Sequence, residues 1–174
     1  TNNALLIDCG GLTPASSPGD PGSEHCESYD GTSFATVNDC NFSSAYNGMG
    51  GTATAAVLMC CGKSTDNPPT IATQGVSGNA GMPGATESWN GTCWTEVNDG
   101  VVDTKNLCGQ GTQTAGMSIG GFPFLNTTQD WDGTCWTAGT SFNSGRHAMG
   151  GSTQGSPTTA LIFGGQGPAP LTLT

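Results

Sequence analysis

One short pattern occurs three times in this chain and limits what it can fold into. Residues 27–34 read ESYDGTSF, residues 87–94 read ESWNGTCW and residues 129–136 read QDWDGTCW. Each copy has an aromatic, then Asp or Asn, then Gly-Thr, one variable residue and a second aromatic. Asp-Gly and Asn-Gly suit the two central positions of a tight β-hairpin, because both residues tolerate positive φ. The expectation is three hairpins of one design, and hence a chain built from repeats.

The repeat extends past the hairpin. Seventeen residues after Phe34 and Trp94 stand Gly51 and Gly111, and fifteen after Trp136 stands Gly151. They open GTATAAVLMCCG, GTQTAGMSIGG and GSTQGSPTTALIFGG, each a small-residue turn followed by a short strand that ends in Gly. ALLIDCGG, at 4–11, matches the strand half alone. Residues 1–174 therefore read as one repeat domain: a lone strand at 4–11, units at 27–62, 86–121 and 129–165, and a tail at 166–174. Four strands are expected per unit; in the second they fall at 86–89, 93–97, 105–110 and 114–120.

Composition supports an all-β chain. Gly accounts for 29 of 174 residues, and each Gly inside a helix costs about 1 kcal/mol relative to Ala. The apolar runs ALLI (4–7), AAVLM (55–59) and ALIF (160–163) are short and bounded by Gly, Thr or Asn, as buried strands are. None approaches the ~20 residues that cross a bilayer as a helix. Three basic residues, Lys63, Lys105 and Arg146, stand against a formal net charge of −10. That balance argues against a nucleic-acid partner, whose phosphates need clustered Lys and Arg.

Eight cysteines, at 9, 26, 40, 60, 61, 93, 108 and 135, include no CxxC pair, so a zinc site has little support. The even count suits an oxidising compartment and up to four disulfides among Cys9, Cys26, Cys40, Cys60, Cys61, Cys93, Cys108 and Cys135, of open connectivity. Cys60 and Cys61 are adjacent, so on a strand they point to opposite faces and take different partners. Sequons at Asn41, Asn90 and Asn126 point the same way, towards N-linked glycans outside the cell. TNNALLID has no basic n-region and reads as a processed or excised start.

The strand ending in Gly-Gly, the two aromatics and the Arg-led strand together resemble the kelch repeat. Unit three carries the fullest match, with Gly120-Gly121, Trp131, Trp136, Arg146 and ALIFGG at 160–165. The W-D/N-G-T-x-W and G-T-Q-T-A variants look like the kelch-like repeats of viral and microbial surface and tail-fibre proteins. The resemblance covers residues 4–165. Unit one departs from it with Phe34 in place of Trp and with Gly62-Lys63 in place of a Gly pair, and only unit three keeps the Arg. It implies a β-propeller of four-stranded antiparallel blades. Propellers close with four to eight blades, and three units do not supply them. The expectation is an open-ended array, or one closed by neighbouring subunits, with ALLID and APLTLT (169–174) either as segments for exchange or as strands that pair within the chain.

Catalytic chemistry is poorly supplied. There are two histidines, His25 and His147, and no G-x-S-x-G element. The SEHCES run at 23–28 is ordinarily a solvated loop, and nothing singles out an acid pair for glycoside hydrolysis. No cofactor and no metal are expected. The reading is a non-enzymatic, extracellular or surface-borne structural glycoprotein that self-assembles into a fibre or appendage through strand exchange between neighbours. The alternative is a carbohydrate-binding adhesin or tail-fibre module that uses loop aromatics such as Phe122 and Phe124.

Overall fold

A computed structural model describes residues 5–9, 24–41, 47–62, 84–102, 104–152 and 156–168, with the backbone alone at 5–9 and 60–62. The APLTLT tail at 169–174, expected as a segment for exchange, lies outside these residues.

Among the described residues the chain is all-β, with thirteen strands and no helix. They are β1 (Leu5–Cys9), β2 (Cys26–Tyr29), β3 (Phe34–Thr36), β4 (Gly48–Thr52), β5 (Ala55–Gly62), β6 (Gly84–Trp89), β7 (Trp94–Val97), β8 (Cys108–Thr112), β9 (Ala115–Gly121), β10 (Leu125–Trp131), β11 (Trp136–Ala138), β12 (Gly150–Gly151) and β13 (Ile162–Phe163). Four antiparallel sheets result: β1-β2-β3, β4-β5-β6-β7, β8-β9-β10-β11 and β12-β13, each a meander in chain order. The second sequence unit thus straddles two sheets. Its hairpin β6-β7 completes the sheet begun by β4-β5, while β8-β9 open the next.

The tripled pattern forms three like hairpins, closed by the pairs Tyr29–Phe34, Trp89–Trp94 and Trp131–Trp136. The loop is longer than a two-residue turn. Four residues lie between the paired aromatics, and only the glycine takes positive φ: +99° at Gly31, +93° at Gly91 and +95° at Gly133. The preceding Asp or Asn has a different job. Its Oδ1 accepts two main-chain N–H groups, from Thr32 and Ser33 (2.8 and 2.9 Å) at Asp30. At Asn90 they come from Thr92 and Cys93 (2.9 and 3.0 Å), and at Asp132 from Thr134 and Cys135 (2.8 and 2.7 Å). Such a turn needs a short side chain with an acceptor oxygen, which explains why Asp and Asn alternate there.

The Gly-Thr-x-Thr turn is also repeated. Thr52 pairs with Ala55 and Thr112 with Ala115, and each Thr hydroxyl bonds across its turn. The indole of the same sheet's hairpin is pinned to this turn. Trp89 Nε1 donates to Ala53 O at 3.0 Å, and Trp131 Nε1 to Gln113 O at 2.7 Å.

Neighbouring sheets stack face to face through apolar layers. β5 feeds two of them by simple alternation. Ala56 and Leu58 join Cys26, Cys40, Trp89 and Trp94 in the first layer. Val57 and Met59 join Leu107, Trp131 and Trp136 in the second. The third layer holds Cys108, Met117 and Ile119 against Met149 and Ile162. At the first strands of successive sheets the backbones nearly touch: a Cβ on Gly109 would lie 2.6 Å from Gly48 Cα. Glycine is required there by space alone.

Candidate functional site

The sheet-to-sheet junction is the most repeated feature of the molecule. Trp136 reaches back to the preceding sheet, where Nε1 donates to the buried Thr86 Oγ1 at 2.9 Å. Asn98, four residues after Trp94, donates to Thr134 O in the next hairpin at 2.8 Å. Asn38, four residues after Phe34, does the same to Thr92 O at 2.7 Å. Two residues before the first aromatic of the second and third hairpins, a buried side chain grips the loop leaving the preceding sheet. Gln129 accepts from Val102 N (2.9 Å) and donates to Val102 O (3.1 Å). The fully buried Glu87 carboxylate accepts from Asn41 N at 3.0 Å and from Asn41 Nδ2.

Among the described residues, no sheet covers either end of this stack. Trp94 and Trp136, each against a preceding sheet, are 5% exposed, whereas Phe34 in the first sheet is 57% exposed. Its ring lies 4.8 Å from that of Tyr29, centroid to centroid. At the other end the register Gly50–Val57, Gln110–Met117, Gly150–Phe163 makes Phe163 the counterpart of Val57 and Met117. Val57 and Met117 are 0% and 9% exposed beneath the next sheet; Phe163 is 58% exposed, and Leu161 beside it is exposed too. Phe34 is thus a hairpin aromatic with no described sheet to cover, and Phe163 is a strand residue with no described hairpin covering it.

A second cluster sits where three chain segments cross. Phe122 N donates to Lys105 O (2.8 Å), Gly121 N to Arg146 O (3.1 Å) and Ala148 N to Asn106 O (2.9 Å). The His147 ring lies 5.5 Å from both Phe122 and Phe124, and Lys105 Nζ stands 5.0 Å above Phe122. Burial pushes the Lys105 amine below its usual range. Arg146 lies over Phe142 and points Nε at Met149 Sδ (3.2 Å). The hydrogen bond shown for its side chain therefore goes to sulfur. His147 is buried, and its Nδ1 has no partner among the described residues.

The residues singled out from sequence scatter over the fold. Asn90 is a turn residue, Asn126 an exposed position of β10, and Asn41 a clamp whose amide nitrogen is engaged with Glu87 and Trp94 O. Cys26 and Cys40 are buried together and both direct Sγ to Glu24 O, at 3.5 and 3.2 Å. Cys93 and Cys135 are exposed at equivalent hairpin turns and Cys108 is buried; these three form no disulfide among the described residues. The side chains of Cys9, Cys60 and Cys61 lie outside the described residues; β1 places Cys9 opposite Cys26 in register. His25 faces Asp39 (3.4 Å) and Glu27 (4.0 Å), and no cluster that would hold a metal occurs among the described residues. No helix there is long and apolar enough to cross a membrane.

Sequence reasoning missed Asn38, Asn98 and the Glu87/Gln129 pair, although constant spacing from the hairpin aromatics carried them. It also missed Phe163, whose meaning appears only once strand register is known. No protein-family model matches the chain, and no curated protein matches it.

Proposed function

We propose that this chain is a structural subunit that associates with copies of itself, forming a fibre or appendage at an extracellular, cell or virion surface. The observation that carries the reading is the bare hairpin aromatic, Phe34, exposed where Trp94 and Trp136 are buried. On this reading the four sheets are successive kelch-like blades, incomplete at both ends. The outer edges of β1 and β13 are unpaired among the described residues, and open edges are where strands of a neighbour add. The surface location rests on the three sequons and the even cysteine count. We assign no catalytic activity, cofactor or nucleic-acid partner. The test is sedimentation velocity over a concentration series. Mass rising above the 17.4 kDa chain is the expected result; one monomer boundary throughout would end the proposal.

A second reading keeps one observation of its own. Phe124 is exposed beside Phe122, His147 and Lys105, a set that suits a carbohydrate ring lying on an aromatic face. Saturable binding on a glycan array, abolished by Phe124→Ala, would favour it.

A further inference from the structure

We infer that the two bare ends dock on one another: the Tyr29/Phe34 hairpin of one copy sits on the Leu161–Phe163 strand of the next, head to tail. The inference rests on the self-association proposed above and names its surfaces. Its template is inside the chain. At the second junction the counterparts of Tyr29 and Phe34, namely Trp131 and Trp136, share one buried layer with Val57, the counterpart of Phe163. The molecule therefore already packs this hairpin face on this strand face, and it exposes one unused copy of each.

The polar bonds of the junction carry over in part. Thr32 O, at the place of Thr92 O and Thr134 O, has no Asn reaching it among the described residues, and it is free to accept from a neighbour. Glu27 stands where Glu87 and Gln129 grip the preceding loop, and it is partly exposed with only His25 shown near it, at 4.0 Å. The outgoing side is weaker, because the β12-β13 sheet has no described hairpin and so no counterpart of Asn38 and Asn98 to reach the next copy. The contact between copies is thus an apolar junction with fewer hydrogen bonds than the internal ones. Because the two surfaces differ, the contact is heterologous. It generates a ring if the rotation closes and a filament if it does not.

A complementation experiment tests the pairing. Phe34→Asp spoils the head and leaves the tail; Phe163→Asp spoils the tail and leaves the head. Both side chains are mostly in water, so neither change disturbs a buried layer, and circular dichroism verifies the fold. Each variant alone is expected to lose association by about 30-fold or more, as at an interface aromatic. Mixed in equal amounts, the two are expected to form a one-to-one dimer and nothing larger, through the single intact junction. A mixture that stays monomeric, or either variant alone assembling like the parent, overturns the inference. In those cases a parent chain that still associates leaves the proposed function standing through another surface. A parent chain that is monomeric throughout removes both.

Discussion

Trp94 and Trp136 occupy the same place in adjacent sheets and are equally buried, yet only one has its indole N–H satisfied. Trp136 Nε1 donates to Thr86 Oγ1. Trp94 Nε1 has no partner among the described residues. The counterpart of Thr86 in the preceding sheet is Cys26, which lines the same layer as Trp94 and offers sulfur where Thr86 offers a hydroxyl. Replacing each Trp by Phe removes a similar volume, so the cavity cost of the two changes is nearly equal and drops out of their difference. Trp136→Phe additionally loses a hydrogen bond worth about 1 kcal/mol. Thr86 Oγ1 keeps its donation to Gly84 O at 3.3 Å, which limits that loss. Trp94→Phe removes a buried donor that was unmet, and an unmet donor costs the folded state about 1–3 kcal/mol. Trp136→Phe should therefore be the more damaging change by about 2–4 kcal/mol. Urea denaturation followed by far-ultraviolet circular dichroism, at concentrations where the chain is monomeric, gives the comparison. A Trp94→Phe variant as unstable as Trp136→Phe, or more so, would refute the reasoning.

Three further outcomes are expected. Gly109→Ala, which sets a Cβ 2.5 Å from Met49 N and 2.6 Å from Gly48 Cα, should destabilise by about 1–3 kcal/mol through overpacking; an unchanged urea midpoint contradicts that close approach. Asp30 and Asp132 are held below the usual carboxylate range by main-chain N–H groups, chiefly those of Ser33 and Cys135. A depressed folded pKa gives stability that is present above the unfolded value of about 3.9 and is lost as pH falls through the folded one. The double variant Asp30→Asn/Asp132→Asn keeps the turn, as Asn90 does, and should show a shallower fall of the thermal midpoint in acid; an identical acid limb rejects this. Finally, a glycan on Asn41 would take the amide nitrogen that grips Glu87, so glycopeptide mapping of folded protein should find Asn41 bare, and full occupancy there would contradict the clamp.

The local chemistry of the repeat was legible in the sequence because it is dictated residue by residue. Gly31, Gly91 and Gly133 are fixed by positive φ, and Asp30, Asn90 and Asp132 by the need for an acceptor over the turn. Strand positions followed from short apolar runs, and β6, β7, β8 and β9 fall close to their expected places. The phase of the sheets was not legible. A linear repeat can be cut anywhere, and only hydrogen bonding shows that β6-β7 belong with β4-β5. The expectation of three four-stranded units gives way to sheets of three, four, four and two strands among the described residues. The exposed ends were hidden for a related reason. Phe34 and Trp94 look alike in sequence, and what separates them is whether a neighbouring sheet lies over them. Phe122, Phe124, Lys105 and His147 are brought together by backbone crossings between distant segments, which no spacing rule announces.

Electron microscopy of the purified chain at assembling concentration tests the central claim most directly. Head-to-tail docking of Phe34 on Phe163 predicts rings or filaments in which the same subunit repeats in one direction with a single kind of junction. Isolated particles of one chain's size, or two-fold dimers joined end to like end, would contradict it.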